Sequence, residues 1–554
     1  MDNEKASLDT RVTVNLVMHN YTTSVNKNKA IELSNYFSSL LSGNFSDHNL
    51  KEHQINYDIS VEIFKTYIDW IENAHNAQPV NYPTIYSQLE KSLKNVANNF
   101  VGLLELLETS VIFISEQLTC QLSRIITTRW LDPDRSLDVW KFAQDHGLCT
   151  LKDVAFEVCL DRFSELPHKK LMNLPTEKFI ELVTNSNIND NKNYRESLVL
   201  DFLKTNQDSI DPDQKLVLEI ADFKTTNKSE YSQCLVTYKL NDAEKKLYCV
   251  YCLKDRELVE LVDFKPMFNY LDGGYEVVGR KIVGRRFSIY IIGGEKGLGT
   301  GRFIKSIWRY CLISRTWYYV TELCTPRRHM IAEFLDQNLY LMGGVGNFRL
   351  KLSSVAILNI HTNEWHEGEK IPEVFTEMPP SCVSGGRIIY YSTNFYLFNP
   401  EGNEWKMISN DLDPCYALTG DPVSPEVYRF CSSYQPSLDS SLSNNEIIKI
   451  QYSPSGFNCQ TNATNKHEKL FLKKWEFSRH IYNKPILVSF RCEDNKIFVE
   501  KSAIEDNTKD INLKVIEIFY QQVDNITPLL FSYQLGCFNI INPDTLYKKI
   551  SKQM

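Results

Sequence analysis

The sequence predicts a multidomain chain with an α+β segment first, an all-α segment next and an all-β repeat region for the rest. Three observations carry this. Strand and helix periodicities alternate up to about residue 125, and helical periodicity alone runs from about 126 to 225. From about residue 230, strand-like runs recur every 8–12 residues between Gly, Pro, Asn and Asp. A length of 554 residues accommodates two to four such domains.

The elements follow in order. In "RVTVNLVMHN", Val12, Val14, Leu16 and Met18 alternate and predict a half-buried strand. In "AIELSNYFSSLLSGNFSD" (30–47), Ile31, Leu33, Phe37, Leu40 and Leu41 recur at helical spacing and predict an amphipathic helix. Ser34 and Asn35, both good N-cap types, start its second turn, and Gly43 is placed to stop it. "HQINYDISVEIFKTYIDWIENA" predicts a strand near Ile55 and a helix with Ile63, Tyr67 and Ile71 on one face. Residues 89–130 contain no proline and read as helical throughout. "DPDRSLDVWKFAQDHGL" opens on Asp and Pro, presents Leu137, Trp140 and Phe142, and stops near Gly147. "CTLKDVAFEVCLDRFSEL", "PTEKFIELVTN" and "YRESLVLDFLKTN" then predict antiparallel helices joined by short loops.

Composition narrows the function classes. A net charge of −8 argues against nucleic-acid binding, whose domains are usually basic. No window approaches eighteen consecutive apolar residues, so no transmembrane helix and no membrane partner are expected. The start "MDNEKASLDT" has no apolar core, so no signal peptide is expected. The 14 scattered cysteines then read as reduced thiols in a cytoplasmic or nuclear protein. Cys249 and Cys252 form the one CxxC, but it lies in a strand-like run with no second ligand pair, so no metal site is expected. There is no nucleophile elbow, P-loop or HExxH, and the 11 histidines form no cluster. No catalytic residue, no cofactor and no enzymatic activity are therefore predicted. "GEKGLGTGRF" (294–303) superficially matches a phosphate loop, but no helix pattern follows it.

The β region repeats. "SIYIIGG" ends at Gly294 and "NLYLMGG" ends at Gly344, 50 residues later. Trp317 follows the first pair by 23 residues, Trp365 follows the second by 21, and Trp405 follows the strand "FYLFNP". Each unit reads apolar strand, Gly-Gly, variable loop, strand, short turn, Trp. This pattern resembles the kelch repeat, a unit of roughly 50 residues that forms one four-stranded blade of a β-propeller. In that reading Gly293, Gly294, Gly343 and Gly344 let backbone pass close to the neighbouring blade, where a Cβ would clash. Trp317, Trp365 and Trp405 pack between blades. "MPPSCVSGGRIIYYSTNFYLFNPEGNEW" is a third unit whose double glycine is displaced or lost, and residues 410–554 are strand-rich without the signature. About 325 residues at roughly 50 per blade give a propeller of about six blades, the C-terminal ones degenerate.

With that region downstream, "VNKNKAIELSNYFSSLLSGNFSD" resembles the core of the BTB (POZ) domain, Ser34, Tyr36, Phe37, Phe45 and Asp47 falling on its pattern. "INYDISVEIFKTYIDWI" resembles the strand and helix that follow in that family. "DRSLDVWKFAQDHGLCTLKDVAFEVCLDRF" resembles the opening of the BACK domain, matched at Ala143, Leu151, Ala155 and Phe163. The implied domains are BTB over 1–125, a short all-α BACK over 126–228 and the kelch propeller over 229–554. This order is that of kelch-like substrate adaptors of cullin-RING ubiquitin ligases. The Asn- and Lys-rich style is similar to the kelch-like proteins of large DNA viruses. The resemblance implies a cullin surface at Tyr36, Leu41, Phe45 and Asp47, with Phe45 filling an apolar slot and Asp47 accepting hydrogen bonds. It also implies a homodimer through the BTB domain. The chain departs from the family at Asn26 in place of His, near Thr13 in place of Asp, and at Asp47 in place of Glu. Two alternatives use the same folds: a scaffold for cytoskeletal or other proteins outside any ligase, and a cullin-binding decoy.

In the kelch register, the loops after second strands and before first strands share the client-binding face. Lys296, Arg302 and Lys305 lie in the first such loop, Arg349 and Lys351 in the next, and Arg327 and Arg328 precede a first strand. This local basicity predicts a client that offers an acidic peptide.

Overall fold

The computed structural model describes residues 13–42, 50–73, 99–220 except 186, 190, 191, 208 and 209, 231–240, 246–263 except 255, and 277–409. Beyond these it describes 415–420, 425–433, 444–451, 476–477, 486–507 except 494 and 495, 510–522, 526–527 and 537–541. The chain divides into two compact units, Met1–Lys224 and Thr225–Met554.

In the first unit, strand β1 (Thr13–Met18) buries Val14, Leu16 and Met18, as the alternation requires. It pairs antiparallel with β2 (Tyr21–Asn26), while β3 (Glu52–Gln54) joins its other edge in parallel. Between them lie two short helices rather than one: α1 (Lys27–Leu33) and α2 (Asn35–Leu41). The break is at Ser34, whose backbone is extended. Its hydroxyl accepts from the Phe37 N–H at 3.2 Å and donates to the Phe113 carbonyl at 2.6 Å. Ser34, not Asn35, is therefore the cap, and it fastens α2 to a distant element. Asn26 caps α1 through the Lys29 N–H.

Helix α3 (Val61–Asn73) buries Ile63, Tyr67 and Ile71 together with Phe64, Ile68 and Trp70. Of the stretch 89–130 that reads as helical throughout, residues 89–98 lie outside the described residues, and the rest is α4 (Phe100–Ile112) and α5 (Glu116–Ile125), running on into a single π-turn at Ile126–Trp130. Ile114 breaks it by adopting φ 49. The break drives Phe113 into the core, where its ring lies 4.9 Å from Tyr67, 5.3 Å from Phe37 and 5.2 Å from Tyr36. Helix α6 (Pro133–Asp145) starts on the Asp132 cap and ends before Gly147 at φ 65. It packs on α7 (Cys149–Asp161). Four shorter or polar helices follow: α8 (His168–Met172), α9 (Thr176–Val183), α10 (Lys192–Thr205) and α11 (Pro212–Ile220).

The second unit contains six antiparallel sheets besides one two-residue ribbon among the described residues. The first combines Tyr231–Leu240, Lys246–Lys254 and Glu257–Asp263 with two late strands, Ile526–Thr527 and Cys537–Ile541, both paired with Tyr231–Leu240. The second (Lys281–Arg285, Ser288–Ile292, Ser306–Cys311, Thr316–Glu322), third (Ile331–Leu335, Asn338–Met342, Val355–Asn359, Glu364–Gly368) and fourth (Ser381–Ser384, Arg387–Tyr391, Phe395–Asn399, Glu404–Ser409) each have four strands in sequence order. The fifth has Cys415–Gly420, Glu426–Ser433 and Asn444–Gln451, and the sixth has Glu476–Phe477, Ile486–Glu493, Lys496–Asn507 and Asp510–Gln522.

Apolar layers join these sheets face to face. The first and second share Val236, Val250, Ile289 and Ile291. The second and third share Tyr290, Ile292, Leu339 and Leu341, the third and fourth share Tyr340, Met342, Ile388 and Phe398, and the fourth and fifth share Ile389, Leu397, Leu418 and Val427. Strands of the fifth and sixth adjoin, and the sixth packs on the first through Val488, Val499, Leu235 and Tyr251. Such small packed sheets fit a β-propeller region. Trp317, Trp365 and Trp405 each lie half-buried against the layer that joins their own sheet to the preceding one.

Cys249 and Cys252 point to opposite faces of one strand, Cys249 toward the sixth sheet and Cys252 toward the second. Three residues along a strand reverse the side, so the pair cannot share a metal ion. Gly385 and Gly386, at φ 46 and 70, are the two-residue hairpin turn between Ser384 and Arg387, so the third unit has no double glycine after its second strand.

Candidate functional site

The loops after the second strands of the second and third sheets begin at the double glycines. Gly293 and Gly343 both take φ 59, while Gly294 and Gly344 take 99 and 92. A Cβ on Gly344 would stand 2.6 Å from the Arg328 carbonyl oxygen, and one on Gly293 would stand 2.8 Å from that of Arg327. Backbone conformation and close approach both require glycine here. These turns bring the segment that precedes a first strand against the loop that follows a second strand.

That crossing determines where the basic residues go, and it corrects two of them. Arg327 is buried. It donates to the carbonyls of Leu341 and Gly343 at 3.3 Å and of Ser354 at 3.1 Å, and to the Ser354 hydroxyl at 3.1 Å. Burial lowers its pKa to about 10, which still leaves it charged at neutral pH. Arg327 is a fastener of the third sheet and offers nothing to a client. Arg328 is buried too, with its Nε 3.1 Å from Glu295 Oε2. The approach is off the N–H axis, an ion pair rather than a linear hydrogen bond. Both arginines looked like loop cations in the sequence because the basic pair follows a proline in a loop. Strand-end carbonyls and one acid absorb them.

Glu295 is also the residue that organises "GEKGLGTGRF". Its two carboxylate oxygens accept from the Gly299 N–H at 3.1 Å and the Gly301 N–H at 2.7 Å. The amides that a phosphate would use are held by the chain's own acid. The Arg328 backbone exchanges two hydrogen bonds with Val345, at 3.0 and 2.9 Å, and Val345 bridges to Lys351. Loop 296–302 and loop 346–352 therefore share one buried anchor.

Above that anchor, Arg302, Lys305, Arg349 and Lys351 are exposed and Lys296 is half-buried. Arg349 lies against the other loop, since a Cβ on Gly299 would be 3.3 Å from its Nη2. Sequence reasoning missed the apolar side chains that stand among these cations. Phe348 is 94% exposed, Leu298 68% and Leu350 61%. The available signal was the run "GNFRLKL", in which Phe348 and Leu350 alternate with cations in a loop that leaves both exposed.

In the first unit, Tyr36 is half-buried in the aromatic cluster, 5.9 Å from Tyr57, and desolvation raises its phenol pKa. Leu41 is buried and belongs to the core, which removes it from the expected cullin surface. Phe45 and Asp47 lie outside the described residues. Among the described residues, no group of three His, Cys, Asp or Glu could hold a metal ion, and no helix is long and apolar enough to cross a membrane.

Comparison with protein families finds the kelch motif twice, over residues 288–323 and 326–372. These spans cover the last three strands of the second sheet and all four of the third. No match to a BTB or BACK family is found. No curated protein matches the chain. The kelch motifs identify a kelch-repeat region, a kind of region that serves protein–protein interaction.

Proposed function

We propose that this chain is a non-catalytic substrate adaptor whose first unit docks on the cullin scaffold of a RING-type ubiquitin ligase, while its kelch-repeat region holds a client protein. The observation that supports this reading is the order of elements ahead of the kelch motifs. A β-hairpin leads into two short helices, a third strand returns parallel to the first, and a helix packs beneath them. Paired antiparallel helices then follow. That order agrees with the BTB-then-BACK resemblance of the sequence, and the half-buried Tyr36 beside an exposed Tyr57 leaves aromatic surface on the first unit.

Titration calorimetry of the full-length protein against a cullin N-terminal domain tests the proposal. Binding is expected, and Phe45→Ala with Asp47→Ala is expected to weaken it by about 2 kcal/mol or more, roughly 30-fold, as loss of a hot spot does. No binding by the folded wild type would overturn the adaptor role.

A further inference from the structure

We infer that the paired loops 296–302 and 346–352 form a docking site for an acidic protein segment carrying a large apolar side chain, with Phe348 as the anchor and Arg302, Arg349 and Lys351 as the cationic rim. The inference deepens the client-holding part of the reading above and rests on it. It departs from the sequence expectation, which placed Arg327 and Arg328 on the binding face and no apolar residue at all.

The first argument is Phe348 itself. Aromatic side chains of this size normally bury most of their surface, and this one is 94% exposed. It is also held at φ 57, with Arg349 next to it at φ 59. Left-handed backbone at two successive residues with side chains is strained, and the strain persists only because the turn is over-determined. Gly346 N–H donates to the Leu350 carbonyl at 2.9 Å, Leu350 N–H donates to that of Asn347 at 3.1 Å, and Val345 bridges to Lys351. The turn therefore presents an aromatic ring to solvent at a conformational cost, which no packing need of the sheet explains. Leu298 and Leu350, one in each loop, are exposed as well.

The second argument is charge. Residues 296–305 and 345–353 hold Lys296, Arg302, Lys305, Arg349 and Lys351 and no Asp or Glu, on a chain of net charge −8. Among the described residues, Glu295 at their base is engaged by Arg328 and two backbone amides. Arginines around an apolar anchor fit carboxylates flanking an apolar side chain, because guanidinium binds carboxylate in a planar fork. The Glu295–Arg328 anchor fixes both loops beforehand, which lowers the ordering cost of binding.

Selection of phage-displayed random 12-residue peptides on the full-length protein tests the site. Enriched peptides are expected to combine several Asp or Glu with one Phe, Leu, Ile or Trp. The corresponding synthetic peptides are expected to lose at least tenfold in affinity to Phe348→Ala and to Arg302→Ala with Arg349→Ala, and to weaken as salt rises from about 50 to 500 mM. Phe348→Gly distinguishes a binding role from a structural one. Glycine relieves the left-handed strain, so its unfolding midpoint should be unchanged or raised while peptide affinity is lost. The site is overturned if no acidic peptide is enriched, if enriched peptides bind Phe348→Ala as well as wild type, or if the loops instead bind phosphatidylserine vesicles and no peptide. Cullin affinity of the same variants is measured in parallel. Peptide binding without cullin binding would sink the adaptor role and leave this site standing, and the reverse outcome would do the opposite.

Discussion

The Arg328 guanidinium and the Glu295 carboxylate form a buried ion pair at 3.1 Å that joins the segment entering the third sheet to the glycine-rich loop of the second. Neither charge has water to fall back on. The pair holds two surface loops in place from below, and its members come from adjacent kelch motifs.

Removing one partner should therefore cost more than removing both. Glu295→Ala strands a buried guanidinium and frees the Gly299 and Gly301 amides, so a loss of about 3–5 kcal/mol is expected. Glu295→Met with Arg328→Met should recover most of the ion-pair component, because similar apolar volume replaces the two charges. Guanidinium unfolding followed by tryptophan fluorescence measures both. A double variant no better than the single one would mean that the pair is not coupled.

Glycines in the two contexts should behave differently. Gly344→Ala must strain φ 92 and place a Cβ 2.6 Å from the Arg328 carbonyl oxygen, a backbone atom that cannot swing away. A loss of about 2–4 kcal/mol is expected. Gly386→Ala, in the hairpin turn at φ 70, meets nothing within 4 Å. Only conformational strain remains there, about 1 kcal/mol. Equal losses at the two positions would show that close approach at the double glycine is not what selects it.

These cases show what the sequence could and could not reveal. The 50-residue period, the double glycines and the tryptophans were legible because each repeats one local physical demand. The split between Gly344 and Gly386 was legible in part, since "SGGR" sits on the wrong side of its strand. The fate of Arg327 and Arg328 was not legible. A cation in a loop reads the same whether water or the carbonyls of Leu341, Gly343 and Ser354 receive it, and those carbonyls come from other strands. The break at Ile114 was hidden for a similar reason. "SVIFISEQ" has no Pro or Gly, and the turn is imposed by burying Phe113 among rings from other elements.

Thiol reactivity should separate buried from exposed cysteines. Burial pushes the Cys159 thiol up to about 12, while Cys120, Cys149 and Cys324 are exposed. The thiolate is the reacting species, so at pH 8 the shift alone lowers its fraction by about a thousand-fold relative to an ordinary thiol. Iodoacetamide on the native protein, read by peptide mass mapping, should label Cys120, Cys149 and Cys324 and spare Cys159 until denaturant is added. Early labelling of Cys159 would contradict its place in the core between α6 and α7.

Tyr67 should make the first unit sensitive to alkali. Its hydroxyl lies 2.6 Å from that of Ser115, and burial pushes its pKa up to about 12. The folded-state pKa is thus above the unfolded value of about 10. The fold favours the protonated phenol, so this contribution is fully present below pH 10 and is lost as pH rises through 12. Two pKa units correspond to about 2.7 kcal/mol over that window. Tyr67→Phe removes the titration and also the hydrogen bond to Ser115, which should cost about 1 kcal/mol at neutral pH. Wild type should therefore be the more stable protein at pH 8, and the gap should close or reverse by about pH 11. Other buried tyrosines titrate in both proteins, so the difference between the two unfolding curves isolates Tyr67. Urea unfolding followed by circular dichroism at several pH values between 8 and 11 gives that difference. A gap constant across the range would mean that the Tyr67 phenol titrates as if it were exposed, and that the ring is not held in the cluster with Phe37 and Phe113.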